Sequence, residues 1–270
     1  MAERIRKDNL LAHLRRLVGD RNAITRPRQL RAAAVYITEQ FRQFGYATRH
    51  DDVRFLWRKF PNIIAGDGDF IIGAHYDSVA GSPGADDNAS GVAALLELAR
   101  VCLDVPRLRL IAFTLEEENM LGSSHYVKKL AAPIAGMVSL EMLGFKSDAP
   151  ESQQLPAGLE HLYPHTGNFI GVVGNERSRQ LLEKFVAAMK TVDGLPVESL
   201  VVPGNGESVP PTRLSDHSPF WDRGYRALMI TDTSWFRNPH YHQSTDTIET
   251  LDLDFLARVT DGVARAVISL

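Results

Sequence analysis

The sequence of 270 residues contains a single cysteine, Cys102, and its positive and negative charges nearly cancel. One cysteine cannot form an intrachain disulfide, so a small disulfide-stapled scaffold is excluded, and we expect Cys102 to be a core residue. The 30 lysine and arginine residues against 33 aspartate and glutamate residues give a net charge of -3. This near-balance argues against a nucleic-acid-coating surface and against a polybasic membrane patch.

Long hydrophobic runs are also missing. No segment approaches the roughly 18 uninterrupted apolar residues of a membrane span, and the first residues lack the apolar core of a signal peptide. We therefore expect a cytoplasmic protein with no membrane partner and no nucleic-acid partner. The chain also lacks the G-x-S-x-G turn of serine hydrolases and the glycine-rich loops that bind nucleotides.

What the sequence does contain is enough apolar residues for a large core, since 44% are hydrophobic and 23% charged. Helical spacing of apolar residues alternates with short apolar runs, which predicts an α/β sandwich with a largely parallel central sheet, in one domain over residues 1–270. The predicted helices are 7–18, 27–44, a segment after Asp87, 176–190, a segment after Asp216, and 253–268. The predicted strands are 47–55, 62–65, 69–74, 108–115, 136–140 and 227–231. Two polar loops, 145–168 and 203–214, are typical of functional rims.

Side chains that bind metals follow several of the predicted strands. His75 and Asp77 follow one strand, Glu116 to Glu118 follow the next, Glu141 ends a third, and a later loop contains His240 and His242. Asp87 stands near the start of a predicted helix. Ligands gather at the carboxyl ends of strands in open α/β sheets, and carboxylates with imidazoles and no thiolate favour zinc or a similar divalent ion.

Each residue also has a structural interpretation when taken alone. Asp87 has the position of a helix N-cap, the glutamates are typical of a solvated acidic turn, and a lone histidine at a strand end is more often structural. The choice between a structural and a functional role remains open for Asp216 and His217. The metal interpretation is favoured because several strands end in the same ligand chemistry.

Several segments of the sequence together resemble a known family. The segments His75-Tyr76-Asp77-Ser78 and Gly84-Ala85-Asp86-Asp87-Asn88-Ala89-Ser90-Gly91 are similar to the signature of the di-zinc aminopeptidases of the zinc-exopeptidase clan MH, to which glutamate carboxypeptidases and glutaminyl cyclases are related. Three later motifs follow in the family's order. They are Glu116-Glu117 with Gly122-Ser123, then Ser139-Leu140-Glu141-Met142, then Tyr241-His242-Gln243-Ser244-Thr245-Asp246. The resemblance covers about residues 70–250.

The resemblance implies a zinc-exopeptidase-like fold, a three-layer α/β/α sandwich with a mostly parallel, mixed sheet, and a site for two zinc ions. Asp87 would bridge the ions, with His75 and Glu141 on one and Glu117 and His242 on the other. Glu116 would be the general base, Asp77 would orient a ligand histidine, and Tyr241 would stabilise the oxyanion. The implied activity is hydrolysis of the N-terminal bond of a peptide or aminoacyl amide.

The sequence departs from the family pattern in two places. Glu141 stands where many members have aspartate, and Glu118 follows the glutamate pair directly, so the pair can also be aligned as 117–118. Counting back from Gly122 favours 116–117.

Several functions stay open at this stage. Glutaminyl cyclase chemistry, a carboxypeptidase or deacylase of the same fold, and a non-catalytic binding module are alternatives to an aminopeptidase. The sequence does not determine the oligomeric state or the preferred side chain. Trp221, Trp235 and Phe236 are candidates either for pocket walls or for core packing.

Overall fold

The computed structural model describes residues 5–270, and eight strands within this range form one mixed sheet. They are β1 (Thr48–Phe55), β2 (Arg58–Ala65), β3 (Phe70–His75), β4 (Leu108–Phe113), β5 (Gly136–Glu141), β6 (Ile170–Asn175), β7 (Val197–Val202) and β8 (Ala227–Thr231). Their order across the sheet is β1-β2-β4-β3-β5-β8-β6-β7. The central strands β4, β3, β5 and β8 are parallel, whereas β2 and β6 each pair antiparallel with them.

Helices cover both faces of this sheet. They are α1 (Lys7–Leu17), α2 (Pro27–Gln43), α3 (Gly91–Val101), α4 (Leu121–Lys128), α5 (Arg179–Met189), α6 (Ser218–Asp222) and α7 (Leu253–Ile268). Residues of α1, α2, α3, α5 and α7 share one hydrophobic core, and residues of α4 and α6 share a second core on the opposite face. The predicted three-layer α/β/α sandwich with a mostly parallel, mixed sheet is confirmed.

The central strands are mostly apolar because both of their faces are buried. In β3, Phe70 and Ile72 pack into the larger core, while Ile71 between them packs into the smaller core. Cys102 is buried against the larger core, as its apolar neighbourhood predicted. Within residues 5–270, none of the helices combines the length and the apolar character needed to cross a membrane.

The sequence missed some elements and misplaced some boundaries, and β2 begins at Arg58 rather than at residue 62. Strands β6 and β7 and helix α4 were not predicted. The helix after Asp87 begins only at Gly91, because the backbone of Asp87 (φ -102°, ψ 92°) and Asn88 (φ -131°, ψ 40°) is not helical. The alternative role of Asp87 as the N-cap of this helix is therefore wrong, and its carboxylate is available for other contacts.

The connections around β3 explain where a site can form. From β3 the chain passes through α3 to β4 on one side, and then through α4 to β5 on the other side of β3. This reversal opens a crevice at the carboxyl ends of these strands, which is where open α/β sheets bind ligands.

Candidate metal centre

Two groups of metal-ligand side chains meet in this crevice, and they share one aspartate. His75, Asp87 and Glu141 form the first group, and Asp87, Glu117 and His242 form the second. His75 Nε2 lies 3.2 Å from Asp87 Oδ1 and 3.4 Å from Glu141 Oε1. His242 Nε2 lies 3.1 Å from Asp87 Oδ2 and 3.4 Å from Glu117 Oε2. Each oxygen of Asp87 thus faces a different group.

The spacing of these atoms fits zinc. Two ligand atoms of a tetrahedral zinc ion with bonds of about 2.0–2.1 Å lie about 3.3–3.4 Å apart, close to the observed separations of 3.1 to 3.4 Å. Among the contacts of residues 5–270, the buried Glu117 Oε1 atom has no hydrogen-bond partner. A buried carboxylate oxygen without a partner is costly unless a cation neutralises it. The donor set therefore fits zinc.

The electrostatics indicate an excess of negative charge. Burial raises the pKa of Glu141, and burial together with the charge of Asp87 raises the pKa of Glu117 to about 7. Burial alone would lower the pKa of His242, but hydrogen bonds to Asp87 and Glu117 raise it to about 10. These shifts favour protonation of the site without metal, and bound divalent ions would displace such protons.

Asp77 connects both sides of the crevice without belonging to either group. Its Oδ1 atom accepts a hydrogen bond of 3.1 Å from the Glu116 N–H and its Oδ2 atom accepts one of 3.2 Å from the Glu117 N–H. Oδ1 also lies 3.7 Å from His75 Nδ1. Asp77 therefore orients the backbone of both glutamates as well as facing the histidine.

Two further positioning contacts were not predicted. Asp246 accepts hydrogen bonds from the backbone N–H groups of Asp86 and Asp87, at 2.8 and 3.1 Å, and so fixes the irregular turn before α3. Ser215 donates a hydrogen bond of 2.7 Å to Glu141 Oε2. Asp246 lies in a motif that the resemblance includes, whereas no local pattern marks Ser215.

The neighbouring glutamates have different surroundings. Glu116 Oε2 lies 4.0 Å from His75 Nε2, and the burial of Glu116, with the charges of Glu141 and Glu117, raises its pKa well above the ordinary value although His75 opposes this. Glu117 belongs to the second ligand group, and Glu118 belongs to neither. Of the two alignments, 116–117 is the one that puts the glutamate of the second ligand group at its second position.

Tyr241 stands beside the second group. Its ring stacks on that of His242 with centroids 3.7 Å apart, and burial and nearby carboxylates raise its pKa, which keeps the hydroxyl protonated. His240 is directed elsewhere, with Nδ1 2.9 Å from Thr245 Oγ1.

The structure also shows the surroundings of the residues whose roles the sequence did not decide. Asp216 is buried, which raises its pKa to about 7, but it joins neither ligand group. His217 is buried with Nε2 2.8 Å from the Thr212 carbonyl oxygen. Trp221 is a core residue that donates a hydrogen bond to the Ala227 carbonyl. Trp235 and Phe236 line a cavity.

This cavity of about 370 Å³ adjoins the ligand groups, and both polar loops contribute to its walls. Its apolar lining includes Leu155, Leu159, Phe169, Val173, Leu200, Met229, Trp235 and Phe236. Its charged lining residues are Asp87, Glu116, Glu117, Glu141, Glu198 and His242. No lysine or arginine of the described residues lines it.

Comparison with known proteins gives consistent matches. A model of peptidase family M28 matches residues 62–267. The chain is 38% identical over 256 residues to the uncharacterized protein YfbL of Escherichia coli, covering 87% of this chain and 78% of YfbL. It is 32% identical over 220 residues to the aminopeptidase YwaD of Bacillus subtilis, covering 77% of this chain but only 41% of YwaD.

Solved structures share the fold. The LapA aminopeptidase of Legionella pneumophila superposes with a TM-score of 0.76 at 22% identity, covering 98% of this chain and 71% of that one. The zinc aminopeptidase BSAP of Bacillus subtilis has a TM-score of 0.60 at 29% identity, covering 80% and 51%. The glutaminyl cyclase of Tannerella forsythia has a TM-score of 0.71 at 18% identity, covering 99% and 100%.

The contacts of Asp77 lead to a testable prediction. Asp77→Asn keeps the side-chain size but replaces one acceptor oxygen with a donor, which opposes an N–H group of the glutamate backbone. Loss of such supporting contacts typically costs 10–100-fold in metal affinity. We expect a decrease of about that size in zinc affinity, measured by competition with a chelating indicator. Asp52→Asn on the exposed face of β1 is the control, and equal affinities of the two variants would contradict the role given to Asp77.

Proposed function

The chain belongs to peptidase family M28 and is thus a peptidase hydrolase. From this premise we propose that it is a zinc-dependent aminopeptidase, which hydrolyses the N-terminal bond of peptides or aminoacyl amides. YwaD and LapA are aminopeptidases by name, and BSAP is a zinc aminopeptidase. Because the chain spans less than half of YwaD, the proposal rests mainly on its own site.

The observation that carries the proposal is the charge of the cavity. No lysine or arginine of residues 5–270 lines the cavity, and its acidic lining includes Glu116, which belongs to neither ligand group and so stays available when zinc is bound. A carboxypeptidase needs a cation to pair with the α-carboxylate of its substrate, whereas an aminopeptidase needs anions near the α-ammonium group. The lining favours a substrate with a free amino terminus.

We propose that two zinc ions are held by the two ligand groups, with Asp87 bridging. The shared aspartate with one oxygen toward each group supports this arrangement. When bound, zinc polarises a carbonyl oxygen and lowers the pKa of water.

The remaining steps use groups of the chain itself. Glu116 takes a proton from the attacking water and delivers it to the leaving amine, which is the role of a general base placed beside the reacting atoms. Asp77 holds the Glu116 backbone in place through its 3.1 Å hydrogen bond. The protonated hydroxyl of Tyr241 donates to the oxyanion that develops on the carbonyl.

A glutaminyl cyclase is the second candidate, because the Tannerella forsythia cyclase shares this fold over nearly its whole length. A cyclase that uses one zinc ion would not need both ligand groups. The presence of five ligand side chains in two groups favours the aminopeptidase.

Substrate polarity tests the proposed activity directly. Aminoacyl amides with a free amino group should be hydrolysed, and their N-acetylated forms should not, because acetylation removes the ammonium that pairs with the acidic lining. The measurement is amine release from each pair of substrates. Equal rates on free and acetylated forms would contradict the aminopeptidase, and release of pyroglutamyl product from N-terminal glutamine would support the cyclase instead.

The three consecutive glutamates give a second test. Glu116→Gln should retain zinc while turnover falls by about 10²–10⁴-fold, the typical cost of losing a general base. Glu117→Gln should weaken or lose the one zinc ion of the second group, because it replaces an anionic ligand with a neutral one. Glu118→Gln is the matched control and should change little. Zinc analysis and kinetics on each variant would contradict the assignment if Glu118→Gln lost zinc while Glu117→Gln retained it.

A further inference from the structure

The floor of the cavity is a row of paired residues that crosses four strands. Glu141 of β5 pairs with Thr231 of β8, Thr231 pairs with Gly171 of β6, and Gly171 pairs with Glu198 of β7. Directly paired residues present their side chains on the same face of a sheet. Glu198 therefore faces the same side as the ligand Glu141, and all four residues line the cavity.

The row sets the length of the cavity floor. Neighbouring strands lie about 4.7–4.9 Å apart, so three steps place the Cα atoms of Glu141 and Glu198 roughly 14 Å apart. Gly171 has no side chain, so the floor between Thr231 and Glu198 is open. A side chain that starts at the metal centre can extend across Gly171 toward β7.

The walls and the end of this trough differ in chemistry. Phe169 and Leu200 make its sides apolar, and the ring of Tyr163 lies near the far end, where its hydroxyl donates a hydrogen bond of 2.9 Å to the Ser199 carbonyl. Burial and the charge of Glu198 both raise the pKa of Tyr163.

Glu198 is the charged lining residue at the end away from the metal centre. The side chain is half-buried, and among the contacts of residues 5–270 its carboxylate has no hydrogen bond and no ion pair. A half-buried carboxylate without a partner, at the end of an apolar trough, matches a ligand with an apolar stem and a cationic tip.

We propose that the trough selects an N-terminal arginine or lysine, with Glu198 as the specificity-determining residue that binds the cationic tip. The apolar walls bind the methylene stem, the ring of Tyr163 offers a further contact for the cation, and the α-ammonium group stays at the acidic metal end. This inference rests on the proposed aminopeptidase function and adds its substrate class.

The test compares arginine amide with methionine amide, whose side chain is unbranched and uncharged. The readout is the ratio of their kcat/KM values in the zinc-loaded enzyme. The wild type should favour arginine amide, and Glu198→Gln should lower the ratio by roughly ten- to hundred-fold, the range of a hydrogen bond to a charged group. Glu183→Gln, on the exposed face of α5, is the matched control and should retain the wild-type ratio.

Gly171→Ala tests the route independently of charge. A Cβ atom at this position would lie 3.3 Å from the Thr231 carbonyl oxygen and 3.7 Å from Thr233 Cγ2, so the methyl group narrows the floor. It should reduce kcat/KM for arginine amide and methionine amide relative to alanine amide, whose side chain does not reach the trough.

The outcomes separate this inference from the proposed function. A wild-type preference for methionine amide, an unchanged ratio in Glu198→Gln, or an unchanged arginine-to-alanine ratio in Gly171→Ala overturns the specificity while leaving an aminopeptidase. Absence of turnover on every free-amine amide overturns the proposed function and the specificity together.

Discussion

Each carboxylate oxygen of Asp87 faces a different histidine, His75 on one side and His242 on the other. Around this aspartate, two further carboxylates belong to the ligand groups, from Glu117 and Glu141. Buried carboxylates at such short range repel one another, and this is costly unless cations or protons compensate their charge. Burial raises the pKa of Glu141, and burial with the charge of Asp87 raises the pKa of Glu117. Bound cations would relieve this repulsion, and the spacing of the ligand atoms fits zinc.

The sheet brings the ligand carboxylates together, and residues outside the ligand groups fix their positions through hydrogen bonds. Strands β4 and β5 lie parallel to β3 on its two sides, which brings the carboxyl ends of all three strands to one crevice. Asp246 fixes the turn that contains Asp87, Asp77 fixes the backbone of Glu116 and Glu117, and Ser215 holds Glu141. These contacts come from distant parts of the sequence, so the geometry of the ligands depends on the complete fold.

The sequence predicted the parts of the molecule that have strong local signals. The central strands are mostly apolar runs, and β3, β4 and β5 lead into ligand-type side chains, so the fold class and the candidate ligands could be inferred without coordinates. The sequence could not predict that α3 begins three residues later than Asn88, because the irregular turn at Asp87 depends on hydrogen bonds that the distant Asp246 accepts. Strands β6 and β7 were missed because they follow or precede long loops. The antiparallel pairing of β6 with β8 is a long-range feature. Without those strands the row that leads to Glu198 could not be predicted.

The central claim is that Asp87 serves both ligand groups, and zinc content per chain after equilibrium dialysis tests it most directly. Asp87→Ala removes the shared carboxylate, whereas His242→Ala removes a ligand of the second group alone, and circular dichroism shows whether both variants remain folded. The account predicts that the wild type binds zinc in both groups, that His242→Ala retains the ion held by His75 and Glu141, and that Asp87→Ala weakens both sites. A folded Asp87→Ala variant that binds one ion with wild-type affinity would contradict the bridging role.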